Sequence, residues 1–173
     1  PMLWANRFSP PAGVFPLTLR TVTFLTGSAS YVHAGDRYDV YVYQDDDRDP
    51  RNGATLAGSQ IGYSVTTAGA RLRSINLDPP IVLEGPGDVI IAMTNPAGTG
   101  PGPAAGEVSN FRRRSYMGNY TGADPDLGSP EVDLQLNTDA IGSRANFVIR
   151  GYGTTGDGTS IQLGDGQGAL QSR

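Results

Sequence analysis

The sequence predicts an all-β domain: a two-sheet antiparallel β-sandwich, jelly-roll-like, built from about eight or nine short strands. Three observations carry that prediction. Apolar and polar residues alternate in short runs, the period of a pleated strand with one face buried. No window places apolar residues at i, i+3, i+4 and i+7 over three turns without a Gly or Pro, so amphipathic helices are missing. The 24 glycines and 13 prolines fall between the apolar runs, where they punctuate them as turns.

The strands follow in order. Over residues 17–25, Leu17 and Leu19 point one way while Thr18 and Arg20 point the other; Val22 and Phe24 then take up the apolar side. That one-residue slip around Arg20-Thr21 predicts a β-bulge. Residues 38–43 set Tyr38, Val40 and Val42 against Asp39, Tyr41 and Tyr43, and 55–65 form a longer, weaker strand. Residues 71–77 alternate, and Ile81-Val82-Leu83 is stopped by the turn Glu84-Gly85-Pro86-Gly87. Residues 88–94 are apolar on both faces, as a central, fully covered strand requires. Residues 113–120, 132–136 and 146–150 complete the set. The stretch 96–106 reads as a Pro- and Gly-rich loop. The domain is expected to occupy 1–151, followed by a Gly-rich tail, 152–173, in which only Ser160-Ile161-Gln162-Leu163 has strand character and could add to a sheet edge.

Composition excludes several functions. The net charge is −4, no lysine occurs, and the only basic cluster is Arg112-Arg113-Arg114, so the basic face a generic nucleic-acid binder needs is absent. No apolar stretch is long enough to insert in a membrane as a helix. Without cysteine there is no disulfide, thiolate metal site or cysteine nucleophile. The opening Pro1-Met2-Leu3 is not a natural start; either preceding residues were removed or Pro1-Met2 was added.

Three constellations could carry chemistry. In Asp45-Asp46-Asp47-Arg48-Asp49-Pro50-Arg51-Asn52-Gly53, the residues Asp45, Asp47, Asp49 and Asn52 offer oxygens at alternate positions of a turning loop, as Ca²⁺ requires. Pro50 replaces the expected glycine and no bidentate Glu follows, so the competing reading is a solvated acidic hairpin turning at Asn52-Gly53. Tyr116 and Tyr120 share a strand face, near Asn119 and Arg114, and Tyr41 and Tyr43 share another. Each pair could form an exposed aromatic platform for a glycan, or could pack on the sheet. His33 is the only histidine and lies in a strand-to-turn context, and no Gly-x-Ser-x-Gly elbow or phosphate-binding loop occurs, so the chain is not expected to be an enzyme. Asn119-Tyr120-Thr121 matches an N-glycosylation acceptor.

Three further stretches carry a resemblance: Trp4-Ala5-Asn6-Arg7-Phe8; Tyr41-Val42-Tyr43-Gln44-Asp45 leading into Asp49-Pro50-Arg51-Asn52-Gly53-Ala54-Thr55-Leu56; and Leu77-Asp78-Pro79-Pro80 followed by Gly85-Pro86-Gly87-Asp88-Val89. Together they resemble bacterial extracellular β-sandwich domains appended to secreted peptidases and surface proteins. The likeness spans roughly 4–151. It implies export to the cell exterior or surface and an accessory role, and transfers no catalytic residue. The expected function is a non-catalytic binding or adhesion module for a glycan or cell-surface polymer. The alternative is a structural subunit of a surface assembly or filament, its partner another copy of itself engaged through the tail.

Overall fold

The computed structural model describes residues 1–96, 102–103, 105–107, 114–121, 125–129, 132–136 and 146–164. The strands are β1 (Met2–Phe8), β2 (Leu17–Leu25), β3 (Arg37–Asp45), β4 (Thr55–Ser64), β5 (Leu72–Leu83), β6 (Asp88–Thr94), β7 (Ala105–Glu107), β8 (Ser115–Tyr120), β9 (Val132–Leu136), β10 (Asn146–Phe147), β11 (Ile149–Thr155) and β12 (Ser160–Leu163), with one 3₁₀ turn at Ala12–Val14. A six-stranded sheet, β4-β3-β6-β1-β8-β9, packs on a four-stranded sheet, β12-β11-β2-β5, and β7 pairs with β10. The described pairs are antiparallel. The protein is an all-β sandwich.

Alternation explains the main core. Trp4 and Phe8 of β1, Val40 and Val42 of β3, and Val89, Ile91 and Met93 of β6 face Leu19, Val22 and Phe24 of β2, Ile75 and Ile81 of β5, and Ile149 and Ile161 of β11 and β12. The expected slip lies where predicted: Leu19 pairs with Gly153 and Thr21 with Tyr152, leaving Arg20 as the extra residue of a bulge. The opposite face of the larger sheet carries a second core that alternation alone does not reveal. Leu3, Ala5, Tyr41, Tyr43, Ile90, Ala92, Tyr116, Tyr120, Leu134 and Leu136 cluster there with Leu127 from the segment after β8. The Tyr43 hydroxyl donates to the Pro125 carbonyl and ties that segment down.

Three boundaries differ from expectation. β1 lies at the centre of the larger sheet, paired with β6 from Leu3↔Thr94 to Phe8↔Val89 and with β8 on its other side. The two runs 71–77 and 81–83 are one edge strand, β5, that among the described residues pairs only with β2 and so accommodates Pro79 and Pro80. The division at 151 falls inside β11, which pairs with β2 through Thr155, and β12 then pairs with β11. Residues 152–164 are therefore part of the smaller sheet and 165–173 lie outside the described residues. Also outside are Arg112 and Arg113, and most of the 96–106 loop, of which Ala105 and Gly106 belong to β7.

Candidate functional site

At the end where β3 stops and β6 begins, Asp45 and Asp88 sit directly opposite one another across the strand pair. Both are buried, at 4 % and 3 % exposure. Arg7 of β1 donates from Nη1 to Asp88 Oδ2 at 2.5 Å, compensating that charge. Among the described residues Asp45 has no such cation: Oδ1 accepts the Asp47 amide at 3.2 Å, while Oδ2 is buried with no hydrogen-bond partner. Burial above all, together with the neighbouring charges of Asp47 and Asp88, pushes the Asp45 carboxyl up to about 6 against the opposing pull of the Asp47 amide.

The loop that follows is built by its own carboxylates. Asp47 Oδ1 accepts the Asp49 amide at 2.9 Å and Asp49 Oδ1 accepts the Arg51 amide at 3.2 Å, repeating the Asp45–Asp47 step as successive Asx turns. Asp47 Oδ2 accepts Asn52 Nδ2 at 2.6 Å, and Asp49 holds the Arg51 guanidinium with both oxygens at 2.7 Å. The Asp49 amide, then Asn52, hold Asp47 below the usual carboxylate range, and Arg51 does the same for Asp49. Of the four residues expected to offer oxygens to Ca²⁺, Asp45, Asp47 and Asp49 each accept a backbone amide two residues on, and Asn52 donates to Asp47; among the described residues no group of three or more acidic or His side chains converges.

Beside this loop lies a groove of about 710 Å³, between the end of β3, the start of β4 and the β5–β6 turn. Its walls include Gln44, Asp45, Asp46, Asp47, Asn52, Thr55, Val82, Glu84 and Pro86. Gln44 fixes the turn with both ends of its amide, accepting the Gly85 N–H at 3.2 Å and donating to the Pro86 carbonyl at 3.1 Å. Asp46 and Glu84 are exposed, and among the described residues no basic side chain lines the groove. The signal for this site in the sequence was the acidic run; that Glu84 joins it depends on the β3–β6 pairing, which the sequence does not display.

The predicted aromatic platforms are not platforms. Tyr41, Tyr43, Tyr116 and Tyr120 are each 3 % exposed or less and belong to the second core. Burial raises the Tyr116 hydroxyl above its ordinary value. Asn119 is exposed but stands beside no exposed ring of this set. The exposed aromatic among the described residues is Tyr31, in the loop before β3, where His33 also lies with Nδ1 4.0 Å from Asp36 Oδ2. The length of β3 separates that loop from the groove.

Comparison with known proteins adds little. No protein-family model matches the chain, and no curated protein does. A solved structure of the cysteine protease and lectin-like domains of Cwp84, a surface layer associated protein of Clostridium difficile, is similar over 89 % of this chain and 32 % of its own, at 19 % identity and a TM-score of 0.48. The chain therefore spans about a third of that protein's length.

Proposed function

We propose that this domain is a non-catalytic extracellular binding module, with a glycan or cell-surface polymer as its ligand, and that the groove beside the 46–54 loop is its site. The observation that carries this reading is the groove itself: a concave surface of about 710 Å³ whose polar groups stand on strand ends and on a loop fixed by its own hydrogen bonds. Carboxylates, amides and hydroxyls are the groups that recognise sugar hydroxyls, and a preformed loop limits the ordering cost of binding.

The same geometry argues against catalysis there. A general acid must reach the atom it protonates. Asp45 is the carboxyl held up toward neutral pH, yet one oxygen is engaged by an amide and the other is shut away from solvent. The alternative, a filament subunit joined through its tail, loses part of its motive because residues 152–164 are used within the chain's own sheet.

A glycan array followed by amide chemical-shift mapping tests the proposal. Shifts confined to residues 44–57 and 82–86 are expected. An array with no hit, or shifts centred on Tyr31 and His33, would count against the groove.

A further inference from the structure

We infer that Asn52-Gly53 is a self-modifying site: the Asn52 side-chain amide converts through a cyclic imide into a carboxylate, and the new charge breaks the hydrogen bond that ties this end of the loop to Asp47. Such a reaction needs a nucleophile next to the side-chain carbonyl and an open approach to it. The nucleophile is the backbone nitrogen of the following residue. Here that residue is glycine, whose missing Cβ leaves the approach clear. The Gly53 N–H makes no hydrogen bond among the described residues, and Asn52 is exposed to the water the reaction consumes. No other described asparagine combines these features. Asn95 is buried and followed by proline, which has no N–H to give up. Asn6 is buried with its amide held by the Phe147 carbonyl. Asn76, Asn119 and Asn146 each precede a bulky residue.

The step balances with water as its co-reactant. The Gly53 nitrogen gives its proton to hydroxide and bonds to Asn52 Cγ. Nδ2 then leaves as ammonia, taking a proton from water and restoring the hydroxide. A second water opens the imide at either carbonyl, leaving an aspartate or a β-linked aspartate; nothing is oxidised or reduced. The product matters because of what Nδ2 does before the reaction. It donates to Asp47 Oδ2 at 2.6 Å, and Asp47 Oδ1 accepts the Asp49 amide at 2.9 Å. Replacing that donor by a carboxylate oxygen sets two like charges against each other on a wall of the groove. Until then the same bond restrains the amide, so Asp47 slows the conversion.

The test is incubation of the intact chain at mildly acidic and mildly alkaline pH, followed by peptide mass mapping and by treatment with hydroxylamine, which cleaves the chain at a cyclic imide. Conversion at Asn52 should precede that at the chain's other asparagines, run faster in alkali, be lost in Asn52→Ser, and run several-fold faster in Asp47→Ala. Gly53 itself is kept, since its φ of +126° disfavours any side chain. Asn52→Asp, which installs one product directly, should speed hydrogen exchange of the Asp49 amide while the amides of β6 keep their rates. If Asn52 stays intact while a free peptide of residues 49–56 converts, or if another asparagine converts first, the site is overturned. An unchanged rate in Asp47→Ala overturns the restraint by Asp47, and unchanged exchange at Asp49 in Asn52→Asp overturns the effect on the loop.

Discussion

Asn6 is polar at a position that alternation assigns to the core, and its neighbours explain why it is tolerated. It is 6 % exposed; Nδ2 donates to the Phe147 carbonyl at 2.7 Å and Oδ1 accepts the Ser115 hydroxyl at 2.7 Å. Ser115 Oγ in turn accepts the Phe147 amide at 3.0 Å, so three side- and main-chain groups close a network between β1, β8 and β10. Asn6→Ala leaves a buried carbonyl and hydroxyl short of partners and should cost about 2–3 kcal/mol in urea denaturation. Ser115→Ala should cost less, and a double-mutant cycle should show the two coupled. Asp45 makes a pH prediction of the opposite sign to the usual aspartate. Its native carboxyl sits near 6, against 3.8 as the ordinary value, so the native state holds a proton that the unfolded chain has released. That opposes folding above about pH 6, and the fold gains as pH falls from there toward about 4. Below that, Asp47, Asp49 and Asp157, all lowered, begin to protonate and stability is lost. Stability should therefore rise from about pH 7.5 to about pH 5, by on the order of 1 kcal/mol and with it the melting temperature, and then fall. Asp45→Asn should remove the rise and leave the acid limb. A melting curve that declines steadily from neutral pH would contradict this account of Asp45.

At the scale of strands, close approach becomes the deciding force. Gly118 in β8 pairs with Leu3 on one side and Leu134 on the other, and a Cβ there would run into the Asp133 carbonyl of β9. The obstacle is backbone, so it cannot swing aside. Gly118→Ala should cost about 2–3 kcal/mol and loosen the edge strand first, read as faster amide exchange in β9 than in β3 or β6. What could be read from sequence divides along the same physical line. Alternation located β2 and its bulge at Arg20, since a slip in period is visible in the chain itself. It also showed correctly that Tyr41 and Tyr43 share a face, as do Tyr116 and Tyr120. It could not show what lies above that face, because a period of two says which residues point together and nothing about the segment around Leu127 that covers them. β1 escaped for a related reason: Leu3 to Phe8 are covered on both sides, and Asn6 and Arg7 interrupt the apolar run, so neither alternation nor continuity marks it. The groove was legible by half. The acidic run announces a polar loop, but its partner Glu84 arrives through the pairing of β3 with β6.

For the molecule as a whole, the C-terminal hairpin decides between a self-contained sandwich and a chain completed by its neighbour. β12 lies at the edge of the smaller sheet and turns Ile161 and Leu163, 3 % and 4 % exposed, into the main core. Burial of such side chains contributes about 1.5–3 kcal/mol each. A domain of this kind is stable by only about 5–15 kcal/mol in total, so truncation after Thr155 removes a large share of it. The truncated chain should melt about 10 °C lower or more, and Ile161→Ala alone should account for a few kcal/mol of the loss. Sedimentation of the intact and truncated chains provides the contrast. If the hairpin serves its own sheet, truncation changes stability and leaves the mass of the folded species that of the intact chain less the deletion. If instead the hairpin is what joins copies, the truncated chain should keep its melting temperature while its assembled species disappears.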